Sequence, residues 1–259
     1  MAKHVTTVIR DQTALITVSR IEAHNALNAQ VLAELLSAIE AARQDSRVRV
    51  LSLTGAGGKA FIAGADILEF LGASPADALG IAVRIRKVTD ALVACEKPVL
   101  AVIDGHCLGG GFELALACDL RLCSTRATFG LPEIKLGILP GGGGTVRLTK
   151  VAGSSVARML AMTGDPIPAP RAYELGLVAA VHEPEALPEA AQKLAVRLAA
   201  LPPFALAQLK SVLNLAVDTP TDAACDAEVK AFALCYATAD QNEGARAFLE
   251  KRKPVFTGK

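Results

Sequence analysis

Two glutamates in this sequence stand beside unusually glycine-rich backbone. In 105–119, GHCLGGGFELALACD, three successive glycines come just ahead of Glu113 and an apolar run; in 129–144, FGLPEIKLGILPGGGG, Glu133 comes ahead of a second cluster. Glycine permits backbone conformations closed to other residues and lets a ligand approach the chain closely. The first amides of a helix lack internal partners and carry the positive end of its dipole. Such amides suit an oxygen that gains negative charge during a reaction. A carboxylate at the edge of an apolar segment is partly desolvated, which raises its pKa toward acid/base use. Each glutamate also has a plain structural reading, because acidic residues favour the first turn of a helix. Glu133 follows Pro132, as it would in a helical start. It is the repeated pairing of carboxylate and glycine backbone that favours chemistry.

Other motifs carry less. TGAGGKA at 54–60 formally matches G-x-G-x-x-A after a strand, but FIAGAD follows instead of a helix. Asp77 falls within a helix, not at the end of the next strand, so a dinucleotide fold is disfavoured. PGGGGTVRLTK lacks the Lys-Ser/Thr pair of a phosphate loop. His4, His24, His106 and His182 show no metal-ligand spacing, and no metal site is expected. No G-x-S-x-G elbow is present. Asp66, in AGAD, reads as the cap of a helix beginning at ILEFLG or as a neighbour of a ligand, with the cap favoured.

The elements that must position these groups alternate. TTVIRDQTALITVS reads as two strands about a turn at Asp11-Gln12, 29–44 as an amphipathic helix, and VRVLSLT as a buried strand. A helix is expected from about 75 to 95, with Ser74 at its N-cap and Pro75 in its first turn. PVLAVID is then a strand, the glycines a turn, FELALACD a short helix and LRLCS a strand. This alternation to residue 182 argues for α/β layering. Beyond 185 only helical patterns remain, so an α/β core over 1–190 and a helical region over 191–259 are expected.

The balance of charge, +1 overall, is spread along the chain and offers no footprint for nucleic acid or an anionic membrane surface. No apolar run approaches the ~18 residues of a membrane span. The N-terminus carries no secretory h-region. The six cysteines form no C-x-x-C pair and mostly sit in apolar runs, so they read as small buried hydrophobes of a reducing, cytoplasmic compartment.

FIAGADILEF (61–70), KPVLAVIDGHCLGGGFELALACDLRL (97–122), ATFGLPEIKLGILPGGGGTVRL (127–148) and EGARAFLEKRKPVF (243–256), with HNALN at 24–28, resemble the enoyl-CoA hydratase/isomerase, or crotonase, family. The resemblance runs from near residue 20 to the C-terminus. It implies a spiral of ββα units and C-terminal helices that assemble homotrimers, often paired as hexamers. It also implies an acyl-CoA thioester whose carbonyl oxygen is held by the amides of Ala65 and Gly110. By the same resemblance Glu113 orients and deprotonates a water that attacks C3 of a trans-2-enoyl-CoA, while Glu133 protonates C2. Ala23, His24, Ala63, Gly64, Asp66, Ile67, Leu68, Pro140 and Gly141 fall at substrate-binding positions. No cofactor is implied, since coenzyme A belongs to the substrate. Leu68 stands where many relatives have a lysine near the CoA phosphates. Ile21 replaces a common proline and Glu22 an often basic residue. Acyl preference is expected from residues in 70–90 and 136–142. An enoyl-CoA isomerase, a hydratase of branched or aromatic acyl groups in place of fatty acid β-oxidation, and a non-catalytic crotonase-fold binding protein are the alternatives. The presence of both glutamates favours hydration.

Overall fold

The computed structural model describes residues 3–259. Met1 and Ala2, which open both the 1–190 unit and the leaderless N-terminus read from the sequence, lie outside them. The chain repeats one unit four times: two strands, then a helix. The units are β1 (Val5–Arg10), β2 (Thr13–Val18) and α1 (Ala29–Gln44); then β3 (Val50–Gly55), β4 (Ala60–Ile62) and α2 (Pro75–Ala94). They continue with β5 (Val99–Ile103), β6 (His106–Leu108) and α3 (Gly110–Ala117). The last is β7 (Leu120–Ser124), β8 (Thr128–Gly130), a 3-10 turn at Pro132–Leu136, and α4 (Gly144–Thr163). After these come β9 (Ile167–Pro168), α5 (Ala169–Glu174), β10 (Ala180–His182), α6 (Leu187–Ala199), α7 (Pro203–Ala216), α8 (Thr221–Cys235) and α9 (Ala239–Leu249).

In three successive units the first strand joins one sheet and the second strand another. The larger sheet runs β1-β2-β3-β5-β7-β10 and the smaller β4-β6-β8-β9. All pairings are parallel except β1 with β2 and β8 with β9. The chain therefore winds as a spiral, as the resemblance implies. Strand period explains how both faces of the large sheet are covered. Leu51, Leu53, Val99, Ala101 and Ile103 point into the main core, while Val50, Leu100, Val102 and Leu122 pack under Leu187, Ala191, Ala195 and Ala199 of α6. The helical run after 185 thus divides, with α6 on the sheet and α7 packed against α8.

Ser74 caps α2 as read, and Asp77 completes a reciprocal capping box with it. Asn28, which the sequence reading did not single out, caps α1 by accepting from Val31 N at 2.8 Å. One reading is corrected. The glycines do not lead directly from the strand at 98–104 into a helix, because β6 intervenes and pairs with β4 and β8 in the second sheet. Three residues are too few to display a strand's period. Cysteine burial also needs a correction: Cys95, Cys107, Cys118 and Cys123 are buried, but Cys225 is exposed and Cys235 partly so. Both lie on α8, which covers no sheet.

Helix α3 is the centre of the fold. Every residue from Gly110 to Ala117 is buried, against α2, α4 and the small sheet. Phe112 lies 5.6 Å from Phe129 of β8. A helix apolar on all sides has no solvent face, so the one acid it carries, Glu113, is buried as well (1% exposed).

Candidate active site

Gly109 ends the turn from β6 into α3 with φ 49°. A side-chain carbon there would sit 2.9 Å from Oε1 of Glu133, so only glycine lets the 3-10 turn and the helix start approach so closely. Gly111 is pressed against β4, where a side-chain carbon would come within 2.1 Å of the Ile62 carbonyl oxygen. Gly110 lies between them and faces the loop after β4: its missing side-chain carbon would be 3.7 Å from the Ala65 nitrogen.

That loop is pinned on both sides of Ala65. Leu27 N donates to Gly64 O at 2.9 Å, and Asp66 N donates to Leu27 O at 2.8 Å. Asp66 accepts from Arg20 Nη1 at 2.6 Å and caps Leu68 N at 3.1 Å, so its side chain is engaged as the cap reading holds. The flanking bonds leave the Ala65 amide unpaired with Leu27, its nitrogen close to Gly110. Neither the Ala65 nor the Gly110 amide donates a hydrogen bond within the protein among the described residues. Two convergent free amides are what a developing oxyanion requires.

Glu113 projects from the first turn of α3 toward the glycine run before α4. Its Oε1 accepts from Gly142 N and from Gly144 N, each at 2.8 Å. Burial pushes its carboxyl above the ordinary range, opposed by these two amides and by the charge of Arg147. Glu133 has no such support, and its Oε2 is buried without a partner. Burial pushes its carboxyl up to about 7; its own backbone amide opposes the rise and the neighbouring Glu113 adds to it. The two carboxyls thus share the cavity in unlike settings: one is held by two amides, and the other keeps a proton about half the time at pH 7.

Both glutamates line one cavity of about 220 Å³. Ala63, Gly64, Ala65, Ile67, Gly110 and Gly141 also reach it. Its apolar wall comes from Phe70, Ala78, Ile81, Ala82 and Ile85, facing Leu136, Ile138 and Leu139, within the two segments expected to set acyl preference. Ala23, His24, Asp66, Leu68 and Pro140 are not on this wall. Ala23 and His24 end a 3-10 turn whose His24 carbonyl accepts from Ala63 N at 3.1 Å. Leu68 is turned to solvent, 73% exposed. Pro140 borders a larger cleft, of about 1020 Å³, on the far side of the glycine run toward α7. The charges of that cleft already pair with one another, as Arg147 with Asp90, Lys150 with Asp218 and Lys210 with Asp119. The free amides and the unpartnered carboxyl belong to the smaller cavity. Among the described residues no cluster of three or more His, Cys, Asp or Glu is arranged to hold a metal ion. No single helix among them is long and apolar enough to cross a membrane.

Sequence reasoning missed the amides that hold Glu113. The PGGGG run stands in the sequence beside Glu133, but its amides bind Glu113, from a different unit of the fold. Asn25 was missed too: buried in the 20–27 loop, it donates to Ala56 O and Ala60 O at 3.0 and 2.8 Å and fixes that loop to the β3–β4 link. Asn25 takes a φ of 59°, a conformation asparagine tolerates, but nothing in the sequence marked it as the residue that fixes the loop.

This architecture and site have known counterparts. Residues 9–259 match the family model described as enoyl-CoA hydratase/isomerase. A crotonyl-CoA hydratase of Syntrophomonas wolfei is 42% identical over 96% of each chain. A short-chain-enoyl-CoA hydratase of Clostridium acetobutylicum is 40% identical over 93% of this chain and 92% of the other. Among solved structures, an enoyl-CoA hydratase from Bacillus anthracis superposes with a TM-score of 0.96 at 34% identity, covering 99% of this chain and all of the other. With that agreement from residue 9 to the last, the chain belongs to the enoyl-CoA hydratase/isomerase family.

Proposed function

We propose that the protein is an enoyl-CoA hydratase that adds water across the C2=C3 bond of a trans-2-enoyl-CoA to give a 3-hydroxyacyl-CoA. The observation that carries this reading is the pairing of two unlike carboxyls with two free amides around one cavity. In this reading the thioester oxygen sits between the Ala65 and Gly110 amides. Electron density drawn onto that oxygen leaves C3 electrophilic. A water held between the glutamates attacks C3, and Glu113, whose negative charge the Gly142 and Gly144 amides stabilise, takes its proton. Glu133, protonated to about pH 7, delivers a proton to C2 as the enolate collapses. Atoms balance: the water's hydroxyl ends on C3 and a proton from Glu133 on C2, and the proton taken by Glu113 returns to Glu133 through solvent before the next turnover. The polarising power comes from backbone dipoles, so coenzyme A takes part only as a portion of the substrate.

The cavity's small volume and apolar wall support short acyl groups, the kind named for the Syntrophomonas and Clostridium relatives. That chemistry suits a step of fatty acid β-oxidation. The buried free thiols support a reducing, cytoplasmic setting. Exposed apolar side chains on α7 and α8, among them Leu209, Leu213, Val229 and Phe232, support assembly into homotrimers or hexamers through the C-terminal helices. The test is to incubate the purified protein with crotonyl-CoA and identify the product. Loss of the conjugated thioester absorbance with formation of 3-hydroxybutyryl-CoA is expected. No hydration of crotonyl-CoA, with conversion of a 3-enoyl-CoA in its place, would replace the reading by isomerisation.

A further inference from the structure

The run Gly141–Gly144 holds Glu113 through its amides, yet four successive glycines have little stiffness of their own. Something outside the run must fix where those amides point. Two side chains do so, from opposite directions, and both act on the same peptide unit. Arg147, one turn into α4, donates from Nη1 to the Gly142 carbonyl oxygen at 2.9 Å and from Nη2 to Asp90 at 3.1 Å. Thr89, fully buried on α2, has its Oγ1 3.1 Å from that same carbonyl oxygen and 2.9 Å from the Arg86 carbonyl, between which it shares one proton. The gripped carbonyl belongs to the 142–143 peptide, which lies between the two units whose N–H groups, of Gly142 and Gly144, donate to Glu113 Oε1 at 2.8 Å; with that middle unit held, both amides keep their places.

We propose that Thr89 and Arg147 are positioning residues for Glu113: they clamp the 142–143 peptide so that the glycine amides on either side of it hold this carboxylate in one orientation toward the substrate cavity. The catalytic part of this claim rests on the hydratase reading; the structural part does not. Arg147 adds a second effect through its charge. Glu113 faces Glu133 from the 3-10 turn and Arg147 from α4, and Asp90 and Arg86 of α2 lie behind Arg147. Of these, Glu133 disfavours an ionised Glu113 and Arg147 favours it. Loss of Arg147 raises the Glu113 pKa, so the acid limb of a rate that needs ionised Glu113 moves to higher pH.

The experiment compares Thr89→Val, Thr89→Ser and Arg147→Gln with the wild type. It reads kcat and KM on crotonyl-CoA, the pH dependence of kcat, and the titration of the Glu113 side-chain carboxyl by carbon-13 NMR, assigned by its loss in Glu113→Gln. Thr89→Val keeps the side chain's shape and is expected to lower kcat about 3- to 10-fold, with KM little changed and activity regained in Thr89→Ser. Arg147→Gln is expected to lower kcat about tenfold or more and to move both the acid limb and the Glu113 titration upward. Wild-type kcat and an unmoved titration in Thr89→Val and Arg147→Gln would overturn the proposal, as would a Thr89→Val defect that Thr89→Ser does not relieve. If Arg147→Gln does not fold, the two Thr89 variants decide. If the wild type does not hydrate crotonyl-CoA, the hydratase reading falls while the NMR titration still decides whether the clamp acts on Glu113.

Discussion

Glu113 and Glu133 border the same cavity, but the start of α3 and the turn after β8 give them opposite surroundings. Glu113 enters a cage of two amides, with a cation beyond it. Glu133 enters an apolar wall with one oxygen unpartnered. Burial raises both, opposed at Glu113 by two amides and a cation and at Glu133 by its own backbone amide alone. In the proposed mechanism this difference lets one residue type supply a base and an acid at the same pH: the fold divides the hydrogen bonds unequally between them. A fully satisfied pair would have no proton to give, and a fully bare pair would have no charge to attract one.

The strongest way to break the comparison is to remove one function and keep the shape. Glu133→Gln is expected to lower kcat on crotonyl-CoA by about 10²–10⁴, and Glu113→Gln by a similar factor, with circular dichroism unchanged. Near-normal turnover in either variant would remove that glutamate from the mechanism. A bulky residue at the amide pair is the next test. Gly110→Val introduces atoms toward Leu27 and the Ala65 nitrogen and is expected to cost about 10²–10³ in kcat/KM, the loss typical of one oxyanion donor. Intact activity there would remove Gly110 from the oxyanion site.

A pH profile sharpens the contrast further. Catalysis needs Glu133 protonated and Glu113 ionised, so kcat/KM is expected to fall above about pH 7, roughly tenfold per unit. The residual activity of Glu133→Gln should lack that basic limb. A profile flat from pH 6 to 9 in the wild type would contradict the acid role. The smallest effect is on stability. Glu133 has a folded pKa raised above its unfolded value, so the folded state binds the extra proton. Its contribution is fully present below the unfolded value and is lost as pH rises through about 7. Urea unfolding should find Glu133→Gln more stable relative to wild type at pH 8 than at pH 5, by on the order of 2 kcal/mol. An equal difference at both pH values would mean that Glu133 is not desolvated.

Much of the frame was legible because its signals are local. The α1 helix spans 29–44 as read, and the capping residues of α2 announce its start. Long helices repeat their period often enough to be recognised. The small sheet was hidden, because β4, β6 and β8 have three residues each and are defined by partners some twenty to forty-five residues away. The site divided in the same way. Glu113, Glu133 and the Gly110 turn stand beside glycines in the sequence and could be singled out there. Ala65 came only from the family resemblance, since nothing local marks an amide left free by its neighbours' pairing with Leu27. The amide cage of Glu113 lies about thirty residues downstream of it, and the Thr89 clamp crosses 53 residues to reach Gly142. Only the folded chain brings such groups together.

The central claim is that the two carboxyls differ in protonation because their hydrogen bonds differ. Infrared difference spectroscopy of the protein uniformly labelled at glutamate carboxyls, with Glu133→Gln as the reference, measures this directly. The account predicts a protonated-carboxyl band at pH 6 that belongs to Glu133, is absent from Glu133→Gln and disappears as pH passes about 7. A Glu133 that ionises near the ordinary glutamate value of 4.5, with no such band at pH 6, would contradict it.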